Sequence, residues 1–106
     1  MKSVRIGAHK YPIVYAHKVD EDDSWGIADF HGYKIVLSSA LEKPELASVW
    51  AEKLLHEVAH FMLDDLGVEF PDDAAEEKCV TLLARGLTQF ARDNKTLIRQ
   101  ILKALK

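Results

Sequence analysis

The apolar residues of this chain change period at Leu46. Upstream they recur every second residue, and downstream about every 3.6 residues. Period two belongs to a strand with one buried face, and 3.6 to a helix with a buried stripe. Strands followed by helices in this order predict an α+β fold.

Within the first 40 residues, positions 4–6 and 13–15 are short β-prone runs, with Gly7 and Pro12 between them. Residues 25–30 and 33–38 flank His31-Gly32, which predicts a tight hairpin. In its second strand Tyr33, Ile35 and Leu37 alternate with Lys34, Val36 and Ser38, so one face is apolar. The acidic run at residues 20–24 reads as a solvated loop rather than a metal site.

Leu46, Val49, Trp50, Leu54, Val58, Phe61, Met62 and Leu66 mark the stripe of a helix of about 20 residues. Pro44 suits its first turn and Gly67 its C-terminal cap. After a loop over residues 68–72, a second helix runs from about 73 to 92. Its expected apolar face holds Val80, Leu83, Leu87, Phe90 and Ala91. So short a connection makes the two helices an antiparallel hairpin. Asp93-Asn94 restarts the chain into a last helix with a stripe of Leu97, Ile98, Ile101, Leu102 and Leu105, expected to pack.

With 48% apolar residues, 106 residues are enough for one core without disulfides, and residues 1–106 are read as one domain. Apolar runs are far too short for a membrane span, and residues 1–14 lack the apolar segment of a secretory signal. The lone Cys79 cannot form an internal disulfide, and the expected compartment is the cytoplasm. A net charge of -3 argues against nucleic acid as a partner. That charge is uneven: residues 1–43 are neutral, residues 44–93 carry four basic and eleven acidic side chains, and residues 94–106 carry four basic and none acidic. Cations in a last helix complement its macrodipole.

The acidic helical part contains His56-Glu57-Val58-Ala59-His60, an H-E-x-x-H motif well inside a helix. Residues i and i+4 share a helical face, so both imidazoles reach one ion. Neutral imidazole is a good Zn²⁺ ligand. Zinc lowers the pKa of water to about 7, and Glu57, turned out of the ligand line, can take the proton as that water attacks a carbonyl.

A catalytic zinc site has three protein ligands. His60 lies about six residues, or about 9 Å, before the hairpin turn, so its partner should sit about five residues into the returning helix. Glu76 and Glu77 are the acids there. Asp73-Ala-Ala-Glu76 resembles a capping box, which occupies Glu76. Glu77 shares a face with Val80, Ala84 and Leu87. The reading favours Glu77 and keeps Glu76 as its alternative.

The H-E-x-x-H segment, the short acidic loop and the stretch Glu77-Lys-Cys-Val-Thr-Leu-Leu-Ala-Arg-Gly-Leu, followed by Arg92-Asp-Asn94, resemble the small phage- and prophage-encoded minimal zincins. These are distant relatives of the ImmA/IrrE metallopeptidases. Trp25-Gly26 and Ile35-Val-Leu-Ser-Ser39 resemble the strands that precede that group's active-site helix, and the likeness covers about residues 25–95. It implies a zinc-dependent endopeptidase-like fold with His56, His60 and a downstream glutamate as ligands, and it supports Glu77. For a phage-encoded chain the compartment would be the host cytoplasm. Fuller members of the wider family carry further domains, for which 106 residues leave no room.

His9, His17 and His31 are isolated and read as surface residues, although His31 or Tyr33 would polarise a carbonyl if the hairpin tip reached the metal. Asp64 and Asp65 read as a solvated helix end, and Cys79, Trp25 and Trp50 as core. The expected architecture is a small, mostly antiparallel sheet packed on the H-E-x-x-H helix, with an antiparallel partner helix and a C-terminal helix. The expected function is zinc-dependent hydrolysis of a peptide or protein substrate, bound along residues 33–38 if they form an edge strand. The rival reading is a zinc-binding module that captures a phage or host protein through its sheet edge or basic terminal helix. A structural domain without metal is the third.

Overall fold

The computed structural model describes residues 3–19 and 24–105. The acidic run at 20–23 lies outside them. Four strands come first: β1 (Ser3–Ile6), β2 (His9–Ala16), β3 (Gly26–Asp29) and β4 (Lys34–Ser38). Two short 3₁₀ turns, Ser39–Glu42 and Pro44–Leu46, lead into α1 (Ala47–Asp65), and α2 (Asp73–Asp93) and α3 (Lys95–Ala104) follow. The class is therefore α+β, with the strands before Leu46 and the helices after it.

The sheet order is β1-β2-β4-β3. β1 pairs antiparallel with β2, and β3 with β4, but β2 and β4 run parallel, with Ile13 opposite Ile35 and Tyr15 opposite Leu37. The sheet is thus mixed rather than mostly antiparallel, because the chain crosses from β2 over β4 to lay down β3 before returning. β4 is consequently interior and β3 is an edge, so residues 33–38 do not meet the condition for binding a peptide along an edge strand. β2 hands over from β1, paired through Pro12, to β4, paired from Ile13. Pro12, which has no N–H to give, stands at that hand-over.

The β3–β4 turn spans residues 30–33, with Asp29 opposite Lys34, so it is wider than a two-residue hairpin. Tyr33, not Gly32, takes the left-handed conformation at φ 52°, and the Gly32 N–H donates to Asp29 Oδ1 at 2.9 Å. Tyr33 accordingly belongs to the turn and is exposed.

Ile6, Tyr11, Ile13, Ile35 and Leu37 form the buried face of the sheet and meet Leu41 and Phe61. Val49, Trp50, Leu54 and Val58 of α1 pack on the same core. Trp50 Nε1–H donates to Tyr15 Oη at 2.9 Å, fastening α1 to β2. The second contact layer joins α1 to α2 through Ala59, Val80 and Ala84, all buried.

Several residues expected inside are outside: Trp25, Met62, Leu66, Cys79, Leu83, Leu87 and Phe90 are exposed. So is the last helix. α3 meets chiefly α2, buries no residue, and leaves Leu97, Ile101, Leu102 and Leu105 open. Its stripe is amphipathic as read, but no layer of the described chain covers it. Among the described residues no helix is long and apolar enough to cross a membrane.

Candidate metal centre

α1 carries His56 and His60 one turn apart, with ring centroids 5.0 Å from each other. Both side chains are nearly covered, because α1 is clasped between the sheet and α2. Gly67, at φ 76°, ends the first helix, and α2 returns alongside it. Asp72 caps α2 by accepting the Ala75 N–H at 2.8 Å. The cap therefore lies one residue earlier than an Asp73–Glu76 capping box requires, and the Glu76 carboxylate is engaged elsewhere.

The hairpin brings both acids to the histidines. Glu77 bridges the pair, with Oε1 2.7 Å from His56 Nε2 and Oε2 3.1 Å from His60 Nε2. Glu76 Oε2 lies 2.7 Å from His60 Nδ1. His60 is thus flanked by a carboxylate at each ring nitrogen. Further along, Arg85 reaches Glu52 at 3.4 Å, which keeps the two helices in the same antiparallel register.

Glu57 is the one charged side chain in the core among the described residues, 4% exposed. Burial pushes its carboxyl up to about 7, with Glu77 adding to the rise and His60 and Lys53 opposing it. Burial also lowers the pKa of His56, with Glu77 acting in the opposite sense, so His56 tends to the neutral form that ligates metals. Donor atoms of His56, Glu57 and His60 all lie within 4.8 Å of one another, a His-Glu-His group that could hold a metal ion. Glu57 thus stands close beside the imidazole pair. Two imidazoles converging on a carboxylate form a donor set that fits a borderline divalent metal.

A cavity of about 390 Å³ opens over these residues, walled by Ile27, Ala28 and Phe30 on the β3 side and by Asp73 on the α2 side. A neighbouring cavity of about 260 Å³ shares Gly26, His56, Glu57 and Glu77, and adds Trp25, Lys53 and Thr81. Open space therefore continues past the histidines. Neither His31 nor Tyr33 lines either cavity, nor do His9 and His17. His9 instead meets the edge of the Tyr11 ring. Asp64 and Asp65 are a solvated helix end, as read.

Two contributors escaped the sequence reading. One is Phe30, which walls the cavity while touching Phe61 at 4.6 Å between ring centroids. The other is the Glu76–His60 contact, whose only sequence signal is that Asp72 is as good a cap as Asp73. Compared with known protein families, curated proteins and solved structures, the chain matches none.

Proposed function

We propose that this chain is a zinc-dependent peptidase domain of the minimal zincin type, with His56, His60 and Glu77 as ligands and Glu57 as general base. The observation that carries the reading is the Glu77 carboxylate spanning the two Nε2 atoms beside a buried Glu57. The likeness to the ImmA/IrrE-related zincins supports the same assignment. His56, His60 and Glu77 would hold the zinc, which when bound would supply a Lewis acid for the peptide carbonyl and for a water.

Glu57 then does the proton work. Its carboxylate takes a proton from the attacking water and returns it to the leaving amine. Its burial under β3 shields that proton from bulk solvent. The free edge of β3 beside the cavity offers backbone donors and acceptors to an extended peptide, which adds to the sheet as a further strand.

Purified protein should contain one zinc per chain by elemental analysis. A peptide-library digest should show cleavage by wild type and none by Glu57→Gln, while the variant still holds zinc. Equal digestion by both proteins rejects the mechanism. One observation favours a second reading, a zinc-containing module that binds a protein without cutting it: the open apolar stripe of α3, flanked by Lys95, Arg99 and Lys103. Stoichiometric zinc with no cleavage in the digest would select it.

A further inference from the structure

We infer that Glu76 is a positioning residue for the metal centre, acting through His60. The inference rests on the metal-centre reading above and adds a role to a side chain which that reading leaves aside. His56 and His60 both present Nε2 to Glu77, at 2.7 and 3.1 Å, so Nε2 is the atom each ring turns toward the ligand cluster. The remaining nitrogen of His60, Nδ1, faces Glu76 Oε2 at 2.7 Å. A ring that ligates through Nε2 must carry its proton on Nδ1, and Glu76 stands where that proton points. Accepting the Nδ1–H fixes the tautomer, stops the ring from turning about its Cβ–Cγ bond and raises the basicity of Nε2.

The local fold makes this contact possible. Asp72 caps α2, so Glu76 lies in its first turn, one residue past the position a capping box would use. Consecutive residues on a helix are about 100° apart, so Glu76 and Glu77 splay around the helix. Glu77 meets the Nε2 side of the cluster and Glu76 takes the far side of the His60 ring. Adjacent glutamates are thus divided between the two nitrogens of one imidazole. The Glu76 side chain is only one-third exposed, which strengthens a charge-assisted hydrogen bond relative to one in open water. His56 has no such carboxylate at its other nitrogen among the described contacts, so the second histidine of the motif is the one held from behind.

The test compares the full chain with Glu76→Ala, Glu76→Gln and, as reference, His60→Ala. Zinc affinity is measured by competition with a chromophoric chelator at fixed pH, and the histidine tautomers by ¹⁵N–¹H spectra of the zinc-loaded proteins. Glu76→Ala should weaken zinc about 10- to 100-fold, the usual effect of losing such a partner. Glu76→Gln keeps an acceptor oxygen and should restore most of the affinity. The wild-type spectrum should show a downfield His60 Nδ1–H that Glu76→Ala loses and Glu76→Gln retains. Wild-type affinity in Glu76→Ala, together with its loss in His60→Ala, overturns the inference and leaves the metal centre standing. A Glu76→Gln protein as weak as Glu76→Ala overturns it too, since the effect would then be one of charge. If wild type itself takes up no zinc, the metal-centre reading fails first and this inference fails with it.

Discussion

Gly26 on β3 lies directly against Glu57 on α1: a Cβ at residue 26 would stand 3.3 Å from Glu57 Oε2 and 2.8 Å from Leu37 Cδ2. The edge strand therefore covers the buried carboxylate so closely that only a hydrogen fits between them. Leu37 is fully buried and has little room to give way. Gly26→Ala should cost about 1–3 kcal/mol, the usual range for overpacking a core. Because His56, His60 and Glu77 are untouched, zinc affinity should stay near wild type while peptide cleavage falls. Urea midpoints and a zinc titration on the same preparation check this, and an unchanged midpoint would show that β3 yields more easily than the contact implies.

The buried carboxyl makes the metal-free protein sensitive to pH. Glu57 is raised from 4.5 to about 7, so between those values the folded chain keeps a proton that the unfolded chain has released. Stability then falls as pH rises through that window and levels off above it. His56 acts in the opposite sense: its folded pKa is lowered from 6.5, so stability falls as pH drops below 6.5. Glu57→Gln removes the first effect alone. The variant should be more stable than wild type at pH 8, by about 3 kcal/mol, and about equal to it near pH 4. Chemical unfolding of both proteins in chelator across pH 4–8 measures the difference. A gap that does not widen with pH contradicts the burial of this charge.

If Glu77 is a ligand, its substitution separates metal binding from folding. Its side chain is 57% exposed, so Glu77→Ala should change the stability of the metal-free protein by less than about 1 kcal/mol. Its effect should appear when zinc is added. A protein that binds zinc only when folded gains about 2.7 kcal/mol at a free concentration 100 times Kd. Wild type should show this rise in thermal stability, and Glu77→Ala should lose it at the same zinc concentration. An equal rise in both would exclude Glu77 from the ligand set.

The order of elements was legible because period is a local property. The change at Leu46 separated strands from helices, and Gly67 with the short loop after it predicted the hairpin that brings α2 back to His60. The parallel pairing of Ile13 with Ile35 was not legible, because it depends on a crossover and leaves no mark on either strand. Burial was legible only where a second layer exists. Leu54, Val58 and Phe61 lie under the sheet, whereas Met62, Leu83 and Phe90 belong to stripes of the same chemistry with no layer above them. Within the site, helical spacing brought Glu76 and Glu77 to the right height. It could not divide them between the ring nitrogens, since that division depends on which aspartate caps α2.

The last helix offers the converse case, a strongly patterned element that the fold barely uses. α3 contacts chiefly α2, and none of its residues is buried, with Leu102 63% and Leu105 70% exposed. Apolar side chains that stay in water contribute no burial energy, so ending the chain after Asn94 should lower stability by less than about 1 kcal/mol. The proposed metal site lies on α1 and the start of α2, so any zinc affinity should be unchanged as well. If the chain is a peptidase, cleavage of short peptides should also survive, since β3 and the cavity remain. If it is a binding module that works through α3, the truncated protein should keep its zinc and its melting temperature but lose its partner. Thermal unfolding, zinc titration and peptide digestion of residues 1–94 measure these separately. A large drop in melting temperature would show that α3 packs on the body in solution and covers the stripe left open here.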